Sequence, residues 1–305
     1  MNPHFELQTM NSLINKLTGT GVAIITPFKK NHDVDFDALE KMIDFVIDGG
    51  VEYIVTLGTT GETPTLTKKE QREIVDFTAK KINDRVPLVL GIGGNNTKEV
   101  TDHFSDFSLE NITAILSSSP NYNKPSQEGI FQHYKAISDA SSLPIILYNV
   151  PGRTSSNITA ETTLRLAAEC ENIKGIKEAS GNMIQCMHIL KNMPKDFLFV
   201  SGDDHISLPL IACGAKGVIS VVANCFPKDF SELIRLSLKN EFGKAAQLHL
   251  RLLPAYDLLF AENNPAGVKA FCTELNLIEN ELRLPLVPLS APFHQKIKDF
   301  VALVS

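Results

Sequence analysis

A chain of 305 residues with 43% hydrophobic and 21% charged residues and a formal net charge of -6 has the makeup of a globular protein with a large core. No lysine-arginine block offers a nucleic-acid surface, and no apolar run approaches the length of a membrane span. The first 17 residues lack a basic segment followed by an apolar one, so no signal peptide is read and the chain is expected in the cytoplasm. Its five cysteines form no CxxC and its eight histidines no HExxH, which argues against a metal centre or a disulfide frame.

In chain order, GVAIIT (21–26) reads as a strand and FDALEKMIDFVIDGG (36–50) as a helix with Leu39, Met42, Ile43, Val46 and Ile47 on one face. YIVTLG (53–58) and KKEQREIVDFTAKKIN (68–83) repeat the pair, then VPLVLGIG (86–93) and TKEVTDHFSDF (97–107). ITAILSSS (112–119) precedes SQEGIFQHYKAISDAS (126–141), and LPIILYN (143–149) precedes TAETTLRLAAEC (159–170). IKGIKEA (173–179), FLFVSG (197–202) and AKGVISVV (215–222) are each followed by a helical stretch, over 182–193, 206–214 and 228–240. Alternating strands and helices imply parallel pairing, and strands apolar throughout imply burial on both faces. The fold class is therefore α/β, a (β/α)8 barrel of the TIM type over residues 18–241, with an open doubly wound sheet as the rival. Residues 242–305 read as helices without strands, a C-terminal helical appendix, and residues 1–17 as a loosely ordered N-terminal extension.

Active sites of such barrels lie at the C-terminal ends of the strands. Polar, glycine-rich endings collect there: GTTGE (58–62), GIGGNN (91–96), SSSPNYNKP (117–125), YNVPGRT (148–154), KEAS (177–180) and SGDD (201–204). GIGGNN lacks the full dinucleotide spacing and is not read as a nicotinamide site. In GIKEASG, Lys177 stands in a strand otherwise fit for burial, a place lysine rarely occupies. Alternation would turn Lys177 and Gly175 into the barrel and Ile176 and Glu178 towards the helices. A snorkelling strand-end lysine is the plain alternative. The chemical one is a nucleophile that forms a Schiff base with a ketone. At the reference value of about 10.4 a lysine is a free amine only ~0.04% of the time at pH 7, so that chemistry wants desolvation.

Tyr148, ending a strand, could carry protons over the barrel mouth, and Arg153, past a Pro-Gly turn, could grip a carboxylate. Thr59 and Thr60 follow a strand directly and offer two hydroxyls.

Taken together, GTTGE, PNYNKP, YNVPGRT, GIKEAS, SGDD, GVISV and ENNPAGVKA resemble the dihydrodipicolinate synthase family of pyruvate-dependent class I aldolases, from about residue 18 to the end. The resemblance implies condensation of pyruvate with L-aspartate 4-semialdehyde in the diaminopimelate route to lysine, without metal or organic cofactor. It implies Lys177 as the Schiff-base lysine and Tyr148 as the proton relay, linked through Thr59 to Tyr122. In the family that second tyrosine reaches in from a neighbouring subunit, so an oligomer, a homotetramer built as a dimer of dimers, is implied. Thr60 matches a pyruvate-carboxylate binder and Arg153 the arginine that receives the semialdehyde. Gly202 and Ile219 match backbone positions near bound pyruvate.

Two features depart from the family pattern. Asn95 and Glu99 match positions of an allosteric lysine site, but Asn121 stands where lysine-sensitive members have tyrosine, and Lys68 and Gln71 replace histidines of some members. Weak or absent lysine inhibition is expected, because a cation at Lys68 disfavours a cationic ligand. NPAGVK (264–269) replaces the common NPIPVK, with no functional consequence read from sequence. The alternatives are an N-acetylneuraminate or keto-deoxy-sugar acid lyase of the same superfamily, disfavoured by the Thr59-Thr60 and Gly152-Arg153 pairs, and a barrel that binds keto acids without turnover.

Overall fold

The computed structural model describes residues 13–304. Eight parallel strands close into a barrel in sequence order, β1 pairing with both β2 and β8. The strands are β1 (Gly19–Ala23), β2 (Tyr53–Thr56), β3 (Leu88–Gly91), β4 (Ala114–Ser118), β5 (Ile145–Asn149), β6 (Ile173–Glu178), β7 (Leu198–Ser201) and β8 (Gly217–Ser220). The helices that follow them are α1 (Phe36–Asp48), α2 (Lys68–Ile82), α3 (Thr97–His103), α4 (Gln127–Ala140), α5 (Ala160–Glu169), α6 (Met183–Asn192), α7 (Ser207–Ala212) and α8 (Pro227–Leu238). Three more, α9 (Phe242–Phe260), α10 (Ala266–Glu274) and α11 (Ala291–Val304), form the C-terminal appendix.

Closure settles the rivalry with an open sheet, and strand alternation explains it. Tyr53, Val55, Val89, Leu116, Ile146, Leu198, Val200 and Ile219 fill the interior. Their neighbours Ile54, Leu88, Ile115, Leu147, Ile176, Phe199 and Val218 face the helices in a second cluster. Each such side chain contributes about 1.5–3 kcal/mol by burial. The Tyr53 ring crosses the barrel where β1 has no side chain to meet it: a Cβ on Gly21 would lie 2.1 Å from that ring.

Local signals set the helix starts. Thr67 and Glu70 form a reciprocal capping box on α2, and Asp35, Ser126, Thr159 and Asn182 cap α1, α4, α5 and α6. The C-terminal helices dock through a cluster of edge-on rings, with Phe226 after β8 lying 5.6 Å from Phe271 of α10 and 5.9 Å from Phe300 of α11.

Some boundaries differ from the sequence reading. β1 starts two residues earlier and stops at Ala23, because Gly19 and Thr20, which carry no apolar rhythm, pair with Gly217 and Val218. The helix expected over 97–107 ends at His103, and a 3-10 turn covers Phe104–Asp106. Residues 1–12 of the expected loose extension lie outside the described residues. Residues 13–16, by contrast, are helical, and Leu13 and Leu17 are buried against the barrel's interior cluster. These two leucines supply apolar contacts that their short helical turn cannot supply to itself.

Candidate active site

A cavity of about 440 Å³ is lined by residues from the C-terminal ends of β1, β2 and β4 to β7, the loop after β8, and the end of α9 with the turn that follows it. Its lining includes Lys177, Tyr148, Thr59, Thr60, Arg153 and Gly202, so six of the residues singled out from sequence meet in one place.

Lys177 is only 5% exposed, and its Nζ lies 4.1 Å from the centre of the Tyr148 ring. The two are register partners on adjacent strands β5 and β6, both pointing inward at the top layer of the barrel. Alternation sends Glu178 outward as expected. Its carboxylate accepts from Asn149 Nδ2 at 2.9 Å, Gln185 Nε2 at 2.9 Å and the Ser180 N–H at 2.7 Å, so it is satisfied away from the amine. Gly202 makes room for the lysine: a Cβ there would come within 2.9 Å of Lys177 Cε and 2.7 Å of Ala179 Cβ.

The GTTGE segment forms a 3-10 turn, Thr59–Gly61, closed by the Glu62 N–H to the Thr59 carbonyl at 3.1 Å. Thr60 is 3% exposed, and its Oγ1 accepts from Asn264 Nδ2 at 3.0 Å. Glu62 adopts a left-handed backbone, φ 54°, and its side chain is fully buried against Lys269 of α10. That ammonium also donates to the Glu281 carbonyl at 2.8 Å and lies 4.1 Å from the Phe28 ring centre. Burial pulls Lys269 down to about 8, with Glu62 opposing. Arg153, on the helical turn Pro151–Thr154, donates through NH2 to the Asn264 carbonyl at 3.4 Å.

Asp204 buttresses the β8 side. Its Oδ2 accepts from the N–H groups of Val221 at 3.1 Å and Val222 at 2.9 Å. Burial raises its carboxyl to about 6 against those hydrogen bonds.

Five sequence-derived candidates stand apart. Ile219 is buried in the barrel interior below the cavity and does not line it. Tyr122 is 86% exposed with φ 69° and does not enter this chain's cavity. Asn95, Glu99 and Asn121 are exposed, away from the cavity, where Asn95 Nδ2 donates to the Asn121 carbonyl at 3.2 Å. Sequence reasoning gave no role to Asp203, His205 and Asn264, all of which line the cavity. His205 sits between Asp203 and Asp257, 3.3 Å from each carboxylate, and its ring centre is 5.2 Å from that of Tyr256. The hydrogen bond to Asp203, chiefly, raises its pKa despite partial burial. Asn264 stood inside the quoted ENNPAGVKA, but its partners lie far away in sequence.

The profile of the Dihydrodipicolinate synthetase family matches residues 16–303. The chain belongs to this family. The 4-hydroxy-tetrahydrodipicolinate synthase of Parabacteroides distasonis is 50% identical over 289 residues, which span 95% of this chain and 97% of that protein. The crystal structure of dihydrodipicolinate synthase from Aquifex aeolicus superposes with a TM-score of 0.91 at 39% identity, covering 94% of this chain and 98% of that one. The chloride-inhibited dihydrodipicolinate synthase of Acinetobacter baumannii, solved with pyruvate, gives a TM-score of 0.91 at 37% identity over 94% and 98% of the two chains. Among the described residues of this family member, no helix is long and apolar enough to cross a membrane.

Proposed function

We propose that this chain is a lyase that condenses pyruvate with L-aspartate 4-semialdehyde, as a 4-hydroxy-tetrahydrodipicolinate synthase of the diaminopimelate route to lysine. The observation that carries the reading is the buried Lys177 amine against the Tyr148 ring, inside a cavity that also presents Thr60 and Arg153. The names of the 50%-identical relative and of the structural neighbours support it.

In its neutral form, Lys177 Nζ attacks the pyruvate ketone carbon. Tyr148 hands a proton to the departing hydroxyl, water leaves, and an iminium joins Nζ to the substrate. That iminium draws electrons, so the pyruvate methyl loses a proton and becomes an enamine carbon. The enamine attacks the aldehyde carbon, whose oxygen takes up a proton. The substrate's own amine then adds to the iminium carbon and expels Lys177 as the ring closes. Thr60 would hold the pyruvate carboxylate and Arg153 the carboxylate of the semialdehyde. Thr59 would pass protons between Tyr148 and Tyr122. The exposed Tyr122 would serve the cavity of a second copy, which makes a homo-oligomer, a tetramer by analogy with the family, part of this proposal. The reaction is placed in the cytoplasm, with Asn95, Glu99 and Asn121 outside the catalytic set.

The test is borohydride trapping with pyruvate, followed by a coupled assay with both substrates, on wild type and Lys177→Ala. Wild type should gain one pyruvate-derived adduct at Lys177 and turn over the semialdehyde; Lys177→Ala should do neither. Turnover of a sugar acid in place of the semialdehyde would refute the substrate assignment.

A further inference from the structure

We infer that Asn264 is a positioning residue that sets the direction of the Thr60 hydroxyl and thereby the grip on pyruvate. The inference rests on the function proposed above and deepens it at the same site. Asn264 is 4% exposed, lines the cavity and touches two of its working residues. Its Nδ2 donates to Thr60 Oγ1 at 3.0 Å, and its main-chain carbonyl accepts from Arg153 at 3.4 Å.

A hydroxyl has one proton to give and lone pairs to receive. With the Asn264 amide donating into Thr60 Oγ1, the threonine proton is released from that contact and free for an anionic substrate oxygen. An acceptor in place of Nδ2 would claim the proton and turn the lone pairs towards the carboxylate, which reverses attraction into repulsion. The second observation is that Asn264 Oδ1 is buried with no hydrogen-bond partner. Such an orphan is costly and uncommon in a group kept only for packing. It is tolerated here because the other end of the amide faces Thr60.

The surrounding segment reinforces the reading. Residues 264–269 meet the GTTGE turn twice, through Asn264 on Thr60 and Lys269 on Glu62. Both contacts come from Asn264 and Lys269, which NPAGVK shares with the common NPIPVK, so they do not depend on the departure at Ala266-Gly267. Side chain and main chain divide the labour: the amide serves Thr60, while the carbonyl that receives Arg153 survives any side-chain substitution.

That division makes a test that a general packing role would fail. Kinetics are measured on wild type, Asn264→Ala, the near-isosteric Asn264→Asp, Thr60→Val and the double variant Asn264→Ala/Thr60→Val. Borohydride trapping at varied pyruvate is read alongside, since it needs no second substrate. Asn264→Ala should lower kcat/KM for pyruvate about tenfold or more, with the trapping half-saturation raised in step. KM for the semialdehyde should stay within about twofold, because the Arg153 contact is to main chain. Asn264→Asp should lose at least as much, having the shape without the N–H. In the Thr60→Val background, Asn264→Ala should cost nothing further. Equal losses for both substrates, or losses that add in the double variant, would overturn the inference. Wild type that traps pyruvate without using the semialdehyde would instead refute the proposed substrate pair, and the Asn264 comparison would still be read from trapping.

Discussion

Replacing Lys269 by methionine should destabilise the protein through the group it abandons, the Glu62 carboxylate more than 200 residues earlier in the chain. The lysine side chain and its partner Glu62 are both 0% exposed. Methionine keeps much of the stem against Phe28 but removes the ammonium. The Glu62 carboxylate then retains only the Arg283 N–H, at 3.2 Å, among the contacts that face it from the C-terminal segment. Breaking a buried pair from one side costs about 3–5 kcal/mol, chiefly because the remaining charge is left without compensation. At roughly 2 °C per kcal/mol for a chain of this size, the melting temperature should fall by about 6–10 °C. Lys269→Met/Glu62→Gln should recover most of that loss, since an apolar or neutral replacement of the whole pair is nearly neutral.

The same residue fixes a pH dependence. Lys269 is lowered from the ordinary value of 10.5 to about 8, so the unfolded chain binds its proton more tightly than the folded one. Between about 8 and 10.5 the unfolded state therefore carries the extra proton, and folding stability gains as pH rises through that window. Calorimetric melts at a series of pH values check this dependence. Single variants whose losses simply add in the double, or a Lys269→Met shift under about 2 °C, would refute the reasoning, because an uncompensated buried charge cannot be that cheap.

Gly202→Ala should cut the rate of imine trapping by at least about tenfold while costing only about 1–3 kcal/mol of stability, since the added methyl displaces the Lys177 stem rather than the fold. Unchanged trapping kinetics would mean the lysine has room that the 2.9 Å approach denies. Lysine at millimolar concentration should inhibit weakly or not at all, because Lys68 places a cation on α2, 3.3 Å from Asp106 in the turn after the α3 helix that carries Glu99. A steep inhibition curve in the coupled assay would contradict it.

The barrel was legible because each strand carried its burial in its own letters. IKGIKE, read two residues at a time, already separated Lys177 from Glu178, and the Tyr148–Lys177 pairing followed from consecutive strands lying side by side. Thr60 was visible as a hydroxyl at a strand end. The hydrogen bond that orients it was not, because its donor is 204 residues away. The Glu62–Lys269 pair was hidden for the same reason: neither residue has a local pattern that marks it as buried. Residues 13–17 were misread because two leucines make no periodicity. Their role emerges only when a closed barrel offers them a floor. His205 escaped notice because two of the three groups around it, Asp257 and Tyr256, come from α9, with Asp257 52 residues further along the chain.

The GTTGE turn, complete by residue 62, is held by groups that begin 204 residues beyond Thr60. Asn264 and Lys269 reach it from α10 and the turn before it, and the Arg283 guanidinium spans from His32 to Glu70, 2.7 Å from the His32 carbonyl and 3.0 Å from that of Thr65. A nascent chain that has emerged through β8 therefore owns every strand of the ring but lacks the struts that aim Thr60. A chain cut short near residue 260 would keep the ring of strands but leave the GTTGE turn without Asn264 and Lys269 and, on the function proposed above, without its grip on pyruvate.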